Sequence, residues 1–298
     1  MNRRRFIYNS SIASLSVLGL NSCSQLLRDV KITILHSNDV HSQIEPFPIN
    51  HDRFPNRGGF ARRASIFEGI RSVNPNTLIF DAGDIFQGTP YFNFFQGELE
   101  LKLMKEMGYN AATIGNHEFD AGLNTLKKNI LSTNFQFIIS NYDFVNTDLE
   151  GLTTPYKIYK KEGVKIGVFG LGIELKGLVN PNLFKETKYY DPIEISDEMV
   201  RILKDEKKCD LIICVSHLGH KYNSNKISDT RLAQLTTDID LIIGGHTHTF
   251  LKEPLITKNK NNKNVIINQV GSGGVYLGRI DFNFTYSSKS DTNYLLEV

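Results

Sequence analysis

The stretch Ala111-Ala112-Thr113-Ile114-Gly115-Asn116-His117-Glu118-Phe119-Asp120 runs from a small apolar segment straight into a cluster of polar donors. Similar successions surround it along the chain. Ile32-Thr33-Ile34-Leu35 leads to Asp39-Val40-His41, and Thr77-Leu78-Ile79-Phe80 leads to Gly83-Asp84. Leu211-Ile212-Ile213-Cys214-Val215 ends in Ser216-His217, and Leu241-Ile242-Ile243 opens onto Gly244-Gly245-His246-Thr247-His248. The strands of an open α/β sheet present functional residues at their carboxyl ends. The repeated pattern therefore predicts one site assembled from several strands. Its donors are carboxylate, amide and imidazole, without thiolate, which points to a hydrolytic centre for two adjacent metal ions.

Composition sets the class. The chain has 298 residues, 40% hydrophobic and 22% charged, as in an ordinary globular enzyme able to bury a large core. A formal net charge of +2 provides no strong field for nucleic acid or an anionic membrane surface, so no nucleic-acid partner is expected. Much of the positive excess is local, in Arg3-Arg4-Arg5 and in the lysines of 258–263. Cys209 and Cys214 flank an extended run, which separates them by roughly 16 Å at ~3.3 Å per residue, too far for a disulfide. They read as small core residues.

Residues 1–29 read as an export signal and short linker. Arg3-Arg4-Arg5-Phe6 resembles a twin-arginine signal, and Leu20-Asn21-Ser22-Cys23 resembles a lipobox that would make Cys23 a lipid anchor. The expected location is exported, periplasmic or envelope-anchored in a bacterium. Residues 30–298 read as one catalytic domain. Helices are expected over 59–73, 98–107 and 193–204, the second closed by Gly108. Further strands are expected over 135–139, 164–171, 265–270 and 278–284, with a tight turn at 271–274. The lysine- and asparagine-rich segment 258–264 reads as a mobile loop.

Spacing within the motifs carries chemistry. Asp39 and His41 are two positions apart, as are His246 and His248, so on an extended backbone each pair shares a face and can serve one cation. Asp84, between Gly83 and Gly88, is placed to bridge two cations. The amide oxygen of Asn116 suits Mn, Zn or Fe better than a purely structural zinc site. His36 falls on the opposite face from Asp39 and His41 and reads as packed. His51 reads as solvated, and His220 as a surface residue near the site mouth.

With these residues in hand, the chain resembles the calcineurin-like metallophosphoesterases, and within them the 5′-nucleotidase catalytic domain, from about Val30 to about Gly278. The resemblance is carried by Ile34-Leu35-His36-Ser37-Asn38-Asp39-Val40-His41, Gly115-Asn116-His117-Glu118-Phe119-Asp120, Ser216-His217-Leu218-Gly219 and Gly244-Gly245-His246-Thr247-His248. It implies a four-layer α/β/β/α sandwich with the dimetal site at the strand carboxyl ends. It implies one cation (Mn, Zn, Fe or Co) on Asp39, His41, Asp84 and His248, and a second on Asp84, Asn116, His217 and His246. His117 would bind the phosphoryl group, oriented by Asp120, while water activated by the two cations attacks phosphorus without a covalent intermediate.

Members of that branch carry a carboxyl-terminal domain that reads the nucleotide, and this sequence ends soon after Gly278. The expectation is a small-molecule phosphoester substrate, nucleotide or broader, with a separate chain as one possible source of the substrate-binding domain. The same site would serve a cyclic-nucleotide phosphodiesterase, a nucleotide-sugar pyrophosphatase or a sulfur-ester hydrolase. An exported metal-binding lipoprotein is the non-enzymatic alternative, against which His117 and Asp120 argue.

Overall fold

Strands form where apolar, β-branched runs can be buried on both faces. Every residue of Leu211–Ser216 and Leu241–Ile243 is buried, as strands covered on two sides require. Along the first, Leu211, Ile213 and Val215 enter one apolar cluster while Ile212 and Cys214 enter another. The computed structural model describes residues 29–285 and 288–298; the arginine-led segment and Cys23 lie outside the described residues.

Fourteen strands are described: β1 (Val30–Ser37), β2 (Thr77–Asp81), β3 (Ala111–Ala112), β4 (Gln136–Phe137), β5 (Tyr142–Asp143), β6 (Tyr156–Lys161), β7 (Val164–Leu171), β8 (Lys188–Tyr189), β9 (Leu211–Ser216), β10 (Leu241–Ile243), β11 (Leu255–Lys258), β12 (Asn264–Asn268), β13 (Tyr276–Phe284) and β14 (Lys289–Glu297). They build two six-stranded sheets, ordered β14-β13-β1-β2-β3-β4 and β11-β12-β10-β9-β7-β6, with β5 and β8 forming a small pair. The sheets pack face to face through Ile32, Ile34, Leu78 and Phe80 on one side and Ile166, Val168, Ile213 and Ile243 on the other. Helices Phe60–Val73, Glu98–Met107 and Gly122–Ser132 cover the first sheet, and Pro192–Val200 and Asp229–Leu235 cover the second. This is the four-layer α/β/β/α sandwich expected.

Register brings the working ends level. β1 and β2 run parallel with Ser37 opposite Asp81, and β9 and β10 run parallel with Val215 opposite Ile243. The chain leaves all four strands beside one another, and the motif residues lie in the loops that follow.

Several local expectations change. β3 and β4 are only two residues long; after β3 the chain bends off the sheet and brings residues 115–117 to Asp84. The helix expected over 193–204 is α-helical to Val200 and widens into a π-helix over Arg201–Glu206. Segment 258–264 is a hairpin turn rather than a mobile loop, since buried Asn259 Oδ1 accepts hydrogen bonds from the N–H groups of Asn261 (2.9 Å) and Lys263 (3.0 Å). Gly108 closes its helix with φ 73°, as expected of a left-handed helix end. Cys209 and Cys214 are free and buried.

Candidate dimetal site

The loops after β1 and β2 are bound to each other through their backbones. Asp39 N donates to Gly83 O (2.9 Å), His41 N to Asp84 O (3.1 Å) and Ser42 N to Ile85 O (2.8 Å). This lacing holds Asp39, His41 and Asp84 together before any ligand is considered. From the second sheet, His246 N donates to both oxygens of Asp39 at 2.9 and 3.0 Å, joining the two sheets at the site.

Side chains converge into two groups, Asp39 with His41 and His248, and Asp84 with His217 and His246. In the first, Nε2 of His41 lies 2.9 Å from Nε2 of His248, which lies 3.4 Å from Asp39 Oδ1. In the second, Nε2 of His217 lies 3.0 Å from Asp84 Oδ2. Asn116 Oδ1 joins this group, 2.9 Å from Nδ1 of His246. His117 stands at the border: its N–H donates to Asp84 Oδ1 (2.8 Å), its ring lies 5.3 Å from that of His41, and its Nδ1 meets Asp120 Oδ2 at 2.7 Å. All nine residues expected from the sequence gather at this one edge.

The donors fit divalent cations. Carbonyl oxygens of Ala82 and Phe86 face Nδ1 of His217 (2.6 Å) and His41 (3.2 Å), so each ring turns its Nε2 into the site, where a cation that displaces any proton there would find a lone pair. His217 Nε2 is buried against Asp84 Oδ2, and the His41 and His248 Nε2 atoms face each other beside Asp39. Buried carboxylates are costly unless positive charge lies beside them, and among the described residues Asp39 and Asp84 find it only in imidazoles. Burial alone would lower the pKa of His217, yet Asp84 and Asp39 draw it up to about 10. For Asp84, burial pushes upward and is outweighed by His217, His117 and His41, leaving the carboxyl below its ordinary range. The site therefore calls for cationic charge. Burial lowers His246 to about 4, which keeps that imidazole neutral and able to ligate.

Backbone conformation is unusual at the same residues. Asp39, His41, Asp84, His246 and His248 all have positive φ, between 48° and 73°. Glycine supplies close approach: a Cβ on Gly115 would lie 2.3 Å from Asp84 Oδ1, and one on Gly245 would lie 2.8 Å from His217 Nδ1.

Glu118 has a part that its place in the motif did not reveal. It is fully buried and accepts from the N–H groups of Asp84 (2.9 Å), Ile85 (2.7 Å), Phe86 (3.3 Å) and Gly115 (2.6 Å). Burial and the Asp84 charge push its pKa up to about 7, while His217 and the N–H donors pull it down. Asn38 likewise donates to Asp39 Oδ2 (2.6 Å) and Gly271 O (2.7 Å), fixing a ligand to the turn beyond β12. His36 is buried against Asn268, as a packed residue, with burial lowering its pKa to about 3. His51 is not simply solvated, since its Nδ1 accepts from Phe54 N (3.0 Å).

Residues 32–250 match the family model described as calcineurin-like phosphoesterase. The chain belongs to that family. It is 31% identical over 280 residues to the snake venom 5′-nucleotidase of Gloydius brevicauda, covering 85% of this chain and 45% of the venom protein. It is 30% identical over 286 residues to a trifunctional nucleotide phosphoesterase of Bacillus subtilis, covering 85% of this chain and 18% of that protein. In structure it resembles the 5′-nucleotidase precursor of Thermus thermophilus with a TM-score of 0.81 at 28% identity, over 90% of this chain and 55% of the other. The chain spans about half the length of the nucleotidases it matches.

Proposed function

We propose that the chain is a dimetal-dependent hydrolase of phosphate monoesters, with nucleoside 5′-monophosphates as its main substrates. The observation that carries this reading is the His117–Asp120 pair set beside the two ligand groups. A module that merely stored metal would have no need of an imidazole oriented by a carboxylate at that border. The 5′-nucleotidase relatives support the substrate class.

Asp39, His41, Asp84 and His248 would hold one cation, and Asp84, Asn116, His217 and His246 the other. When bound, Mn, Zn, Fe or Co in this pair supplies Lewis acidity and positive charge at the phosphoryl group. The protein's own part is orientation and proton handling. The hydrogen bond from Asp120 raises the His117 pKa, with burial opposing and Asp84 assisting. His117 therefore keeps a proton it can share with a phosphoryl oxygen or pass to the departing alkoxide. Water adds to phosphorus, the bond to the ester oxygen breaks, and the alcohol leaves with that proton; one proton of the water stays on the phosphate, and the other is released to solvent, from which His117 is reprotonated.

The first test is phosphate release from AMP and from an aryl phosphate with Mn²⁺ or Zn²⁺, before and after chelator. Chelator-sensitive release from both supports the reading; release from neither refutes it. Release from the aryl ester alone would place nucleotide recognition on another chain. Parallel rates on 2′,3′-cyclic nucleotides, nucleotide sugars and thiosulfonate esters separate the other chemistries open to the same ligands. We further propose that residues 30–298 form one catalytic unit, and that residues 1–29 direct export with lipid attached at Cys23. Membrane fractionation of the full chain and of a Cys23→Ala variant tests the latter, with wild type in the membrane and the variant released.

A further inference from the structure

His248 faces two ways. Besides joining Asp39 and His41, it walls a separate cavity of about 230 Å³ together with Arg53, Phe54, Phe250 and Tyr276. Pockets for whole drug-sized ligands run from ~300 Å³ upward, so this space suits a single ring system rather than a complete nucleotide.

Its walls are aromatic and its position is fixed. The rings of Phe250 and Tyr276 lie 4.6 Å apart at 31°, too close for anything to enter between them. Phe250 nonetheless remains 45% exposed, so one face of the pair is open. The opposite lip carries Arg53, whose guanidinium stands 5.4 Å over the Phe54 ring and which makes no salt bridge among the described residues. His51 holds that lip by accepting from the N–H groups of Arg53 and Phe54. Gly271 lines the cavity and is tied to the metal side through Asn38, while Gly273 N donates to Asp39 O (2.8 Å). Cavity and ligand groups are thus fixed to the same residue, Asp39.

We propose that this cavity is the leaving-group subsite: a planar aromatic group esterified to the phosphate stacks on the open face of Phe250, and Arg53 donates to its acceptor edge. The proposal rests on the phosphomonoester reading and adds to it a specificity element within this chain. An apolar ring gains from stacking on an exposed aromatic face, and a guanidinium without a carboxylate partner is free to donate to ring nitrogens, carbonyls or hydroxyls. A compact alkyl phosphate would reach the metal ligands without touching Phe250.

Stacking of one base on one aromatic ring corresponds to a factor of roughly 5–150 in affinity. With metal-loaded full-length protein, Phe250→Ala should lower kcat/KM for AMP and phenyl phosphate about tenfold or more, mainly through KM, and collapse their preference over glycerol 3-phosphate. Phe250→Trp should restore the preference, which a merely structural role for the ring would not do. An unchanged preference in Phe250→Ala, or an equal fall for aromatic and alkyl substrates, would overturn the subsite. A wild-type protein inert on every ester would overturn the underlying reading instead. The subsite has a readout independent of turnover: calorimetric binding of phenylphosphonate against methylphosphonate, neither of which has an ester bond to cleave. A preference for the phenyl compound that disappears in Phe250→Ala and weakens in Arg53→Ala supports the proposal; equal binding of the two compounds to wild type refutes it.

Discussion

Gly115→Ala adds one methyl group at the most crowded point of the site. The new Cβ would sit 2.3 Å from Asp84 Oδ1, 2.6 Å from Asp84 N and 2.8 Å from His217 Cε1. Ordinary contact begins beyond 3.4 Å, so the Asp84 carboxylate must retreat by about 1 Å. It is not free to do so, because His117 N holds Oδ1 at 2.8 Å and Glu118 holds Asp84 N at 2.9 Å. Overpacking of this kind costs ~1–3 kcal/mol, and loss of a hydrogen bond to a charged group ~1.5–3 kcal/mol more. A total of ~2.5–6 kcal/mol should lower Tm by roughly 5–20 °C in a domain of this size. Displacing a ligand by ~1 Å should lower the rate about 10²-fold, with metal content reduced. Gly69→Ala is the matched control: an exposed position in helix Phe60–Val73 with nothing within 4 Å of the new Cβ. The same chemical change there should stabilise by ~0.5–1 kcal/mol and leave the rate alone. Thermal unfolding, metal analysis and phosphate release are measured on both variants. Wild-type metal content and rate in Gly115→Ala would refute the claim that glycine is required by the packing of Asp84.

His117→Ala should lower kcat by ~10²–10³-fold while metal content holds, whereas Asp84→Ala should lose both; full activity in His117→Ala removes that residue from the mechanism. Chelation should lower Tm, since a cation at 100 times its Kd contributes ~2.7 kcal/mol to the folded state; a melting curve unchanged by chelator argues against the cation site. Burial raises the Asp229 pKa to about 8, with the Ser216 hydrogen bond opposing. An acid with a raised folded pKa holds its proton more tightly when folded, so its contribution to stability declines as pH climbs from about 4 toward about 8, at up to ~1.4 kcal/mol per pH unit. Asp229→Asn should flatten that slope in urea unfolding at pH 5, 7 and 9, and an unaltered slope places the titration elsewhere.

What could be read in the sequence was what local pattern controls. Leu211-Ile212-Ile213-Cys214-Val215 is apolar at every position because β9 is covered on both faces, and a histidine just past such a run has few places to go except the sheet edge. The polar strand β14 was not legible: it is an outer strand, exposed over Lys289 to Tyr294, so no apolar alternation marks it. The role of Glu118 was hidden for a different reason. Three of its four partners are backbone N–H groups at 84–86, more than 30 residues earlier, and a backbone donor carries no side-chain signature. The turn at 258–264 was misread because lysine and asparagine suggest solvation, whereas Asn259 is buried and binds its own turn. The aromatic cavity was equally silent, since Arg53, Phe250 and Tyr276 come from three separate segments.

The positive φ values show how the site combines rigidity with strain. A left-handed residue other than glycine or asparagine costs on the order of 1 kcal/mol or more, and Asp39, His41, Asp84, His246 and His248 all adopt that conformation. No turn preference explains so many at one place. Four of the five are held by a bond that the surroundings supply: Asp39 N to Gly83 O, His41 N to Asp84 O, His246 N to the Asp39 carboxylate, and Asp84 N to Glu118. Those bonds in turn depend on Glu118 and Asn38, which touch no expected ligand position except through Asp39 and the backbone of Asp84. The left-handed turns aim carboxylate and imidazole groups at shared points that extended strands could not reach. The strain is therefore the means by which loops from separate strands form an arrangement that needs little rearrangement to accept a cation. Stability lost at the ligands is recovered in the network beneath them, which is why substitution of Glu118 or Gly115 should damage the site although neither residue is a ligand.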